Sequence, residues 1–198
     1  MGCGSGILSV IAKETGNYGG QISLIDSNES AINCAKMNLA LYGVFEHQLI
    51  SKNADIVDIW FPSSGTPDAG KRPKQQEFYD NILDDIGIPK PVDLILCNPP
   101  WIPASFMKMN SQSPTDDAVF DPNEKFLISS LNFAKYHLDP KSGEMLLIYS
   151  NLAQNLGITE PNRVSTLSKD FGLEATLLDE TNIPMSKKLN DPLKMIKR

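Results

Sequence analysis

The apolar run Val92-Asp93-Leu94-Ile95-Leu96-Cys97 stops abruptly at Asn98-Pro99-Pro100-Trp101, and this stretch constrains the fold more than any other. A run of that length and composition reads as a strand buried on both faces of a parallel sheet. The two prolines end it. Each lacks the N–H that a sheet ladder needs, fixes φ, and biases the residue before it toward extended geometry. In open α/β sheets, ligand chemistry gathers at the carboxyl ends of the strands. There, Asn98 offers a carbonyl acceptor for an N–H of a planar amide or amine. Trp101 supplies a broad ring face on which a flat group can stack. The competing reading is a rigid turn after a buried strand, with the tryptophan packed under a loop.

Strand and helix patterns alternate along the rest of the chain, as a parallel α/β sheet requires. Residues 7–14 read as a helix, and residues 21–25 as a short strand ending at Asp26. Ser27 or Asn28 can cap a second helix, which carries Ala31, Ala35, Leu39 and Tyr42 on one stripe and stops at Gly43. A third strand is expected around residues 48–51, followed by the polar turn Asn53-Ala54-Asp55. Leu127, Leu131, Ala134 and Leu138 mark another helix by their spacing. A turn at residues 141–143 then leads to a strand over 145–149, and residues 174–178 are expected to add one more. Residues 62–90 look like an insertion, rich in Pro, Gly and Ser through Pro73, with a short helix expected over 77–86. Residues 103–122 carry no periodicity, and a loop that long is often a lid or a binding loop.

Length and composition bound the function classes. At 198 residues the chain is expected to form a single domain, and its 41% hydrophobic content is ordinary for a globular protein. No apolar segment approaches the ~18 residues of a membrane span. Cys3, Cys34 and Cys97 form neither a disulfide framework nor a zinc pattern, so a reducing, cytoplasmic setting fits and no metal is expected. Cys34 and Cys97 read as small core residues, and His47 and His137 as surface or capping residues. The net charge of −6 argues against a large nonspecific nucleic-acid footprint. Residues 186–198 are a local exception, with Lys187, Lys188, Lys194, Lys197 and Arg198 against Asp191. They read as a solvated tail or as a patch that touches an acidic partner.

Gly2-Cys3-Gly4-Ser5-Gly6 precedes the first helix. Glycines there allow a tight turn and close approach to a ligand, and the helix start offers free N–H groups. Asp26 follows Gly6 by twenty positions at a strand end, with Ser27 beside it. A carboxylate so placed can accept both hydroxyls of a ribose. Taken singly, these features reduce to a flexible start, a helix cap and, at Asp55, a turn residue. A nicotinamide dehydrogenase is rejected because its fingerprint is Gly-x-Gly-x-x-Gly, and here the third glycine comes one position early. Residues 65–72 imitate a phosphate-binding loop. Arg72 stands where a Ser or Thr would hold magnesium, however, and Pro67 and Pro73 oppose the loop-to-helix geometry. No Gly-x-Ser-x-Gly elbow points to a hydrolase.

In their order along the chain, the glycine loop, Asp26, Asp55 and Asn98-Pro99-Pro100-Trp101 resemble the Rossmann-like (class I) S-adenosylmethionine-dependent N-methyltransferases. These carry the signature Asn/Asp-Pro-Pro-Tyr/Phe/Trp. Cys97-Asn98-Pro99-Pro100-Trp101-Ile102-Pro103 is most similar to the glutamine methyltransferases of translation release factors, and nucleobase amine methyltransferases share the signature. The resemblance runs from Gly2 to about Ser150 and implies a doubly wound, mainly parallel sheet. It implies S-adenosylmethionine as cofactor, with Gly2, Cys3, Gly4 and Gly6 on its methionine and ribose side, Asp26 and Ser27 at the ribose, and Asp55 near the adenine amine. The Asn98 side-chain oxygen and the Pro99 carbonyl would hold the target nitrogen, with Pro100 pre-setting the turn and Trp101 stacking on the substrate. The implied substrate is a protein glutamine, favoured by the acidic chain, or a nucleic-acid base. The family also places an apolar strand ending in an acid before the glycine loop, whereas here Met1 directly precedes Gly2. The expectation is therefore a sheet lacking its first strand, in an internal-start fragment of a longer protein. A non-catalytic methyltransferase-like subunit that binds a partner is the alternative.

Overall fold

The computed structural model describes residues 1–16, 20–60, 87–100, 120–155 and 157–181. The body of the insertion with its phosphate-loop imitation, Trp101, nearly all of the unpatterned stretch 103–122, and the basic tail lie outside these residues. The fold is mixed α/β, in two compact units: Met1–Asn98 with Asn132–Ile148, and Pro99–Leu131 with Tyr149–Arg198.

The first unit is built from α1 (Ile7–Gly16), β1 (Ile22–Asp26), α2 (Glu29–Leu41), β2 (Leu49–Asn53), α3 (Ile56–Trp60) and β3 (Leu94–Cys97). Helix α4 (Lys125–His137) begins in the second unit and ends in the first, which then continues into β4 (Glu144–Leu147). Strands β1 and β2 pair in parallel with Asp26 opposite Asn53, and β3 pairs in parallel with β4 with Cys97 opposite Leu147. A bridge between Val92 and Leu138 extends the second pair at one end, and the Ile148 N–H donating to the Cys97 carbonyl extends it at the other. The first residues are bonded to both pairs. The Met1 amine donates to the Leu96 carbonyl at 2.9 Å, and the Cys3 N–H donates to the Ile25 carbonyl at 3.0 Å.

Local chemistry sets the ends of α2. Asn28 keeps extended backbone and its side-chain oxygen accepts the Ser30 N–H, which satisfies one of the helix's orphan donors. At the other end the Gly43 N–H returns to the Ala40 carbonyl, with Gly43 at φ 74°, the left-handed stop glycine allows. The core joins Val10 of α1, Leu24 of β1, Ala35 and Leu39 of α2 and Val44, with Cys3, Ile22 and Leu49 packed around them. Five such side chains taken from water stabilise the unit by roughly 1–3 kcal/mol for each large aliphatic.

The second unit contains the start of α4, then α5 (Leu152–Asn155) and α6 (Arg163–Asp170). Among the described residues no helix is long and apolar enough to cross a membrane.

Several expectations are corrected. Residues 174–178 form no strand. Leu177 and Leu178 are each 77% exposed, and a strand-like sequence with no neighbour to pair with among the described residues gains nothing from extended geometry. The buried stripe of α2 is Ile32, Ala35 and Leu39, whereas Tyr42 is 49% exposed because it lies past the last helical residue. Cys34 is exposed rather than buried, since it falls one position off that stripe. Cys97 is in the core, as expected. His137 is fully buried. It shares a helix face with Phe133 four residues earlier, its ring stacks on that ring at 3.8 Å, and its Nδ1 lies 3.1 Å from the Phe133 carbonyl. His47 is exposed and stacks on Phe45, as a surface histidine can.

Candidate functional site

The glycine loop is held by backbone and side-chain hydrogen bonds within the first unit. Gly2, Gly4 and Gly6 take φ of 58°, 50° and 77°, a left-handed region that a side chain strains against. The Gly6 N–H donates to the Cys3 carbonyl at 2.7 Å, closing the turn, and the Gly6 carbonyl receives the Val10 N–H at the start of α1. Gly6 also allows a close approach. A Cβ built there would lie 2.9 Å from the Ala35 Cβ of α2, so loop backbone and helix touch without an intervening side chain. At Gly4 a Cβ would meet nothing within 4 Å, so that side of the loop is open.

Asp26 ends β1 and is the anchor of the loop. One carboxylate oxygen, Oδ2, accepts the Gly4 N–H at 2.9 Å, and the other, Oδ1, accepts the Asn28 N–H at 2.9 Å. A carboxylate offers about four lone-pair sites, so these two bonds and that of the Cys3 thiol leave acceptor capacity to spare. Ser27 and Gly2 are exposed beside it, and Asp26 itself is half-buried. Burial, and then the Asp26 charge, pushes the Cys3 thiol up to about 11, so it stays protonated at neutral pH.

Asp55 arrives at the same end of the β1–β2 pair. Asp26 and Asn53 are register partners, the Ala54 N–H donates to the Asp26 carbonyl, and Asp55 is next in the chain. Its Oδ1 accepts the Val57 N–H at 2.8 Å and so caps α3, leaving the exposed side chain a further oxygen. Asn98 directly follows β3 and is exposed; it lies two residues beyond Leu96, the acceptor of the Met1 amine. The structure thus brings Gly2, Cys3, Gly4, Gly6, Asp26, Ser27 and Asp55 together through the ends of β1 and β2. Asn98 sits at the end of β3. Pro99 and Pro100 belong to the second unit, where Pro99 is buried and Pro100 half-buried. Trp101 lies outside the described residues.

One contact involves a residue outside the sequence motifs. The Asn38 side-chain amide, on α2, donates to the Ser5 carbonyl at 2.8 Å, and the same nitrogen lies 3.7 Å from the Cys34 sulfur. An asparagine in a helix interior, one turn past a small residue on the same face, is the faint signal that could have found it.

A second polar cluster, equally unforeseen, belongs to the second unit. Asp121 is buried and takes the Phe126 and Leu127 N–H groups at 2.8 and 3.0 Å, capping α4. Burial raises its carboxyl above the usual range, against the opposing pull of those N–H groups. Arg163 of α6 grips Glu124 in a two-pronged pair, Nε at 2.9 Å and Nη2 at 2.6 Å from Oε2. That hydrogen bond holds the guanidinium's pKa up. Burial, then the charges of Glu124 and Asp121, pushes the Tyr149 hydroxyl up to about 12. Among the described residues no three His, Cys, Asp or Glu side chains gather as metal ligands do.

No family model, curated protein or solved structure matches this chain.

Proposed function

We propose that this chain is the core of an S-adenosylmethionine-dependent N-methyltransferase whose strand pairs belong to one doubly wound, mainly parallel sheet. The observation that carries the proposal is the clasp of Gly4 by Asp26 at the end of β1. A glycine loop in left-handed conformation leads into α1 there, next to a carboxylate with oxygen lone pairs to spare. The fit to the cofactor rests on chemistry present at the site. Asp26 and Ser27 offer acceptors for ribose hydroxyls, Asp55 an acceptor for an exocyclic amine, and the open side of Gly4 room for backbone approach. When bound, the cofactor supplies the sulfonium methyl that is transferred.

The chain's own part is to bind and align. The Asn98 side-chain oxygen accepts an N–H of the target amide or amine and turns the nitrogen lone pair toward the methyl donor. It also stabilises positive charge as that charge develops. Alignment and electrostatics of this kind need neither a covalent intermediate nor a metal. The acidic chain favours a protein glutamine over a nucleobase, and a reducing, cytoplasmic setting suits the thiols.

Titration of S-adenosylmethionine into the purified protein tests the cofactor, with micromolar binding expected. A folded chain that binds none overturns the reading. Transfer of labelled methyl into total protein or total nucleic acid then identifies the substrate class. Asn98→Ala is expected to abolish transfer while leaving cofactor affinity within about twofold, because Asn98 acts on the acceptor.

A further inference from the structure

We propose that Asn38 is a positioning residue of the glycine loop, holding Ser5 from α2 so that the loop keeps its ligand-ready shape before any ligand arrives. The importance of that shape rests on the function proposed above; the positioning itself does not.

Glycines lose more conformational freedom on ordering than other residues, so residues 2–6 need external restraints to hold one conformation. Among the described residues, side-chain restraints from outside the loop come from two directions. Asp26 takes the Gly4 N–H from the β1 side, and Asn38 donates to the Ser5 carbonyl from the α2 side. The α2 face is shaped for this contact. Ala35 lies three residues before Asn38, on the same face, and the loop backbone approaches so near that a Cβ on Gly6 would sit 2.9 Å from the Ala35 Cβ. With the loop pressed onto α2 at Gly6, the preceding carbonyl falls within reach of the Asn38 amide. Backbone bonds at Cys3 and Gly6 complete the enclosure.

The identity of the residue is informative. Asparagine is a poor helix former, and an alanine at position 38 would suit α2 better. Its place inside a helix fits the donor it extends to a loop 33 residues earlier in the chain. Removing that donor leaves α2 intact and frees the loop, so binding must then supply the ordering that Asn38 had provided in advance.

Amide hydrogen exchange and cofactor titration on Asn38→Ala and Asn38→Asp test the inference. The aspartate variant keeps the size of the side chain but points an acceptor at the Ser5 carbonyl. Both variants are expected to speed exchange at the Gly4 and Gly6 amides about five- to tenfold, the effect of losing one typical hydrogen bond. Exchange at the Ala35 and Leu39 amides should not change, and the thermal midpoint of Asn38→Ala should stay level or rise. S-adenosylmethionine affinity should fall by a similar factor. Loop exchange at the native level in both variants overturns the inference, and so does acceleration spread equally over loop and helix. If the native chain binds no S-adenosylmethionine, the proposed function falls, while the exchange result still decides the role of Asn38.

Discussion

The glycine loop and the entry to α4 solve one problem in two ways. In each, a carboxylate takes at least two backbone N–H groups beside a stretch of left-handed backbone. In the loop the positive φ angles fall on Gly2, Gly4 and Gly6, which adopt them without strain. Before α4 they fall on Asn123 and Glu124, both at φ 57°, and side chains make that conformation costly. Asp26 is half-buried with oxygen to spare, whereas Asp121 is buried and Glu124 is locked to Arg163. The first region is cheap to build and open to a visitor. The second holds strain in place with polar contacts, and the carboxylates of Asp121 and Glu124 are both engaged within the chain. What separates a receptive carboxylate from a structural one is therefore its burial and what its neighbours demand, since both accept backbone N–H groups beside left-handed backbone.

Four perturbations would break or sharpen that contrast. The largest effect is expected from Asp121→Ala, which strands the Phe126 and Leu127 N–H groups at a helix start and should cost about 2–3 kcal/mol in urea unfolding. A loss below about 0.5 kcal/mol, typical of a surface site, would erase the distinction. Next comes Gly6→Ala, which meets both the left-handed φ and the Ala35 contact and should cost about 1–3 kcal/mol. Gly4→Ala faces the φ penalty alone, so the difference between the two isolates the contact with α2. Equal losses would mean that the close approach carries no energy.

Third, Arg163→Ala should cost about 1–2 kcal/mol by breaking a charge-assisted pair. In the Glu124→Gly background the same change should cost much less, because the partner and its backbone strain are already gone. A double-mutant cycle showing no coupling would refute the clamp.

The smallest effect is in pH dependence, where the turn after α4 supplies a control. Asp139 is only partly buried, and N–H groups of Lys141 and Ser142, with the Ser142 hydroxyl, hold its carboxyl below the usual range. Its contribution to stability is present above the ordinary carboxyl value of about 3.9 and is lost as pH falls through its lower folded value. Asp121 has the opposite sign. Its raised folded value means a burial cost that is fully present at higher pH and is relieved as pH falls through that value toward about 3.9. Asp139→Asn should thus blunt acid unfolding below about pH 4, and Asp121→Asn should flatten the slope just above it. Identical acid profiles for the two variants would show that burial does not set the sign.

What could be read in advance followed the range of the interaction. The glycine loop, the strand ending at Asp26, the Asn28 cap and the helix containing Leu127 and Leu131 were legible because their signals lie within one turn or one strand. Boundaries moved by a few residues where two states compete. Gln48 went to a 3-10 turn, and β2 runs to Asn53. His137 and Cys34 were misread for one reason: each sits near the edge of an apolar stripe, and a single position decides between core and water. The Asn38–Ser5 and Arg163–Glu124 contacts span 33 and 39 residues; only the asparagine inside α2 hints at the first, and no local pattern names either partner.

The placement of the three thiols gives the protein a natural reporter. Cys97 is sealed in the core, the Cys3 thiol stays protonated well above neutral pH, and Cys34 stands exposed on α2. A fluorophore–maleimide at pH 7 should therefore attach at one position without mutagenesis. That position is one helical turn from Asn38, so emission from the dye would register rearrangement of the glycine loop in real time.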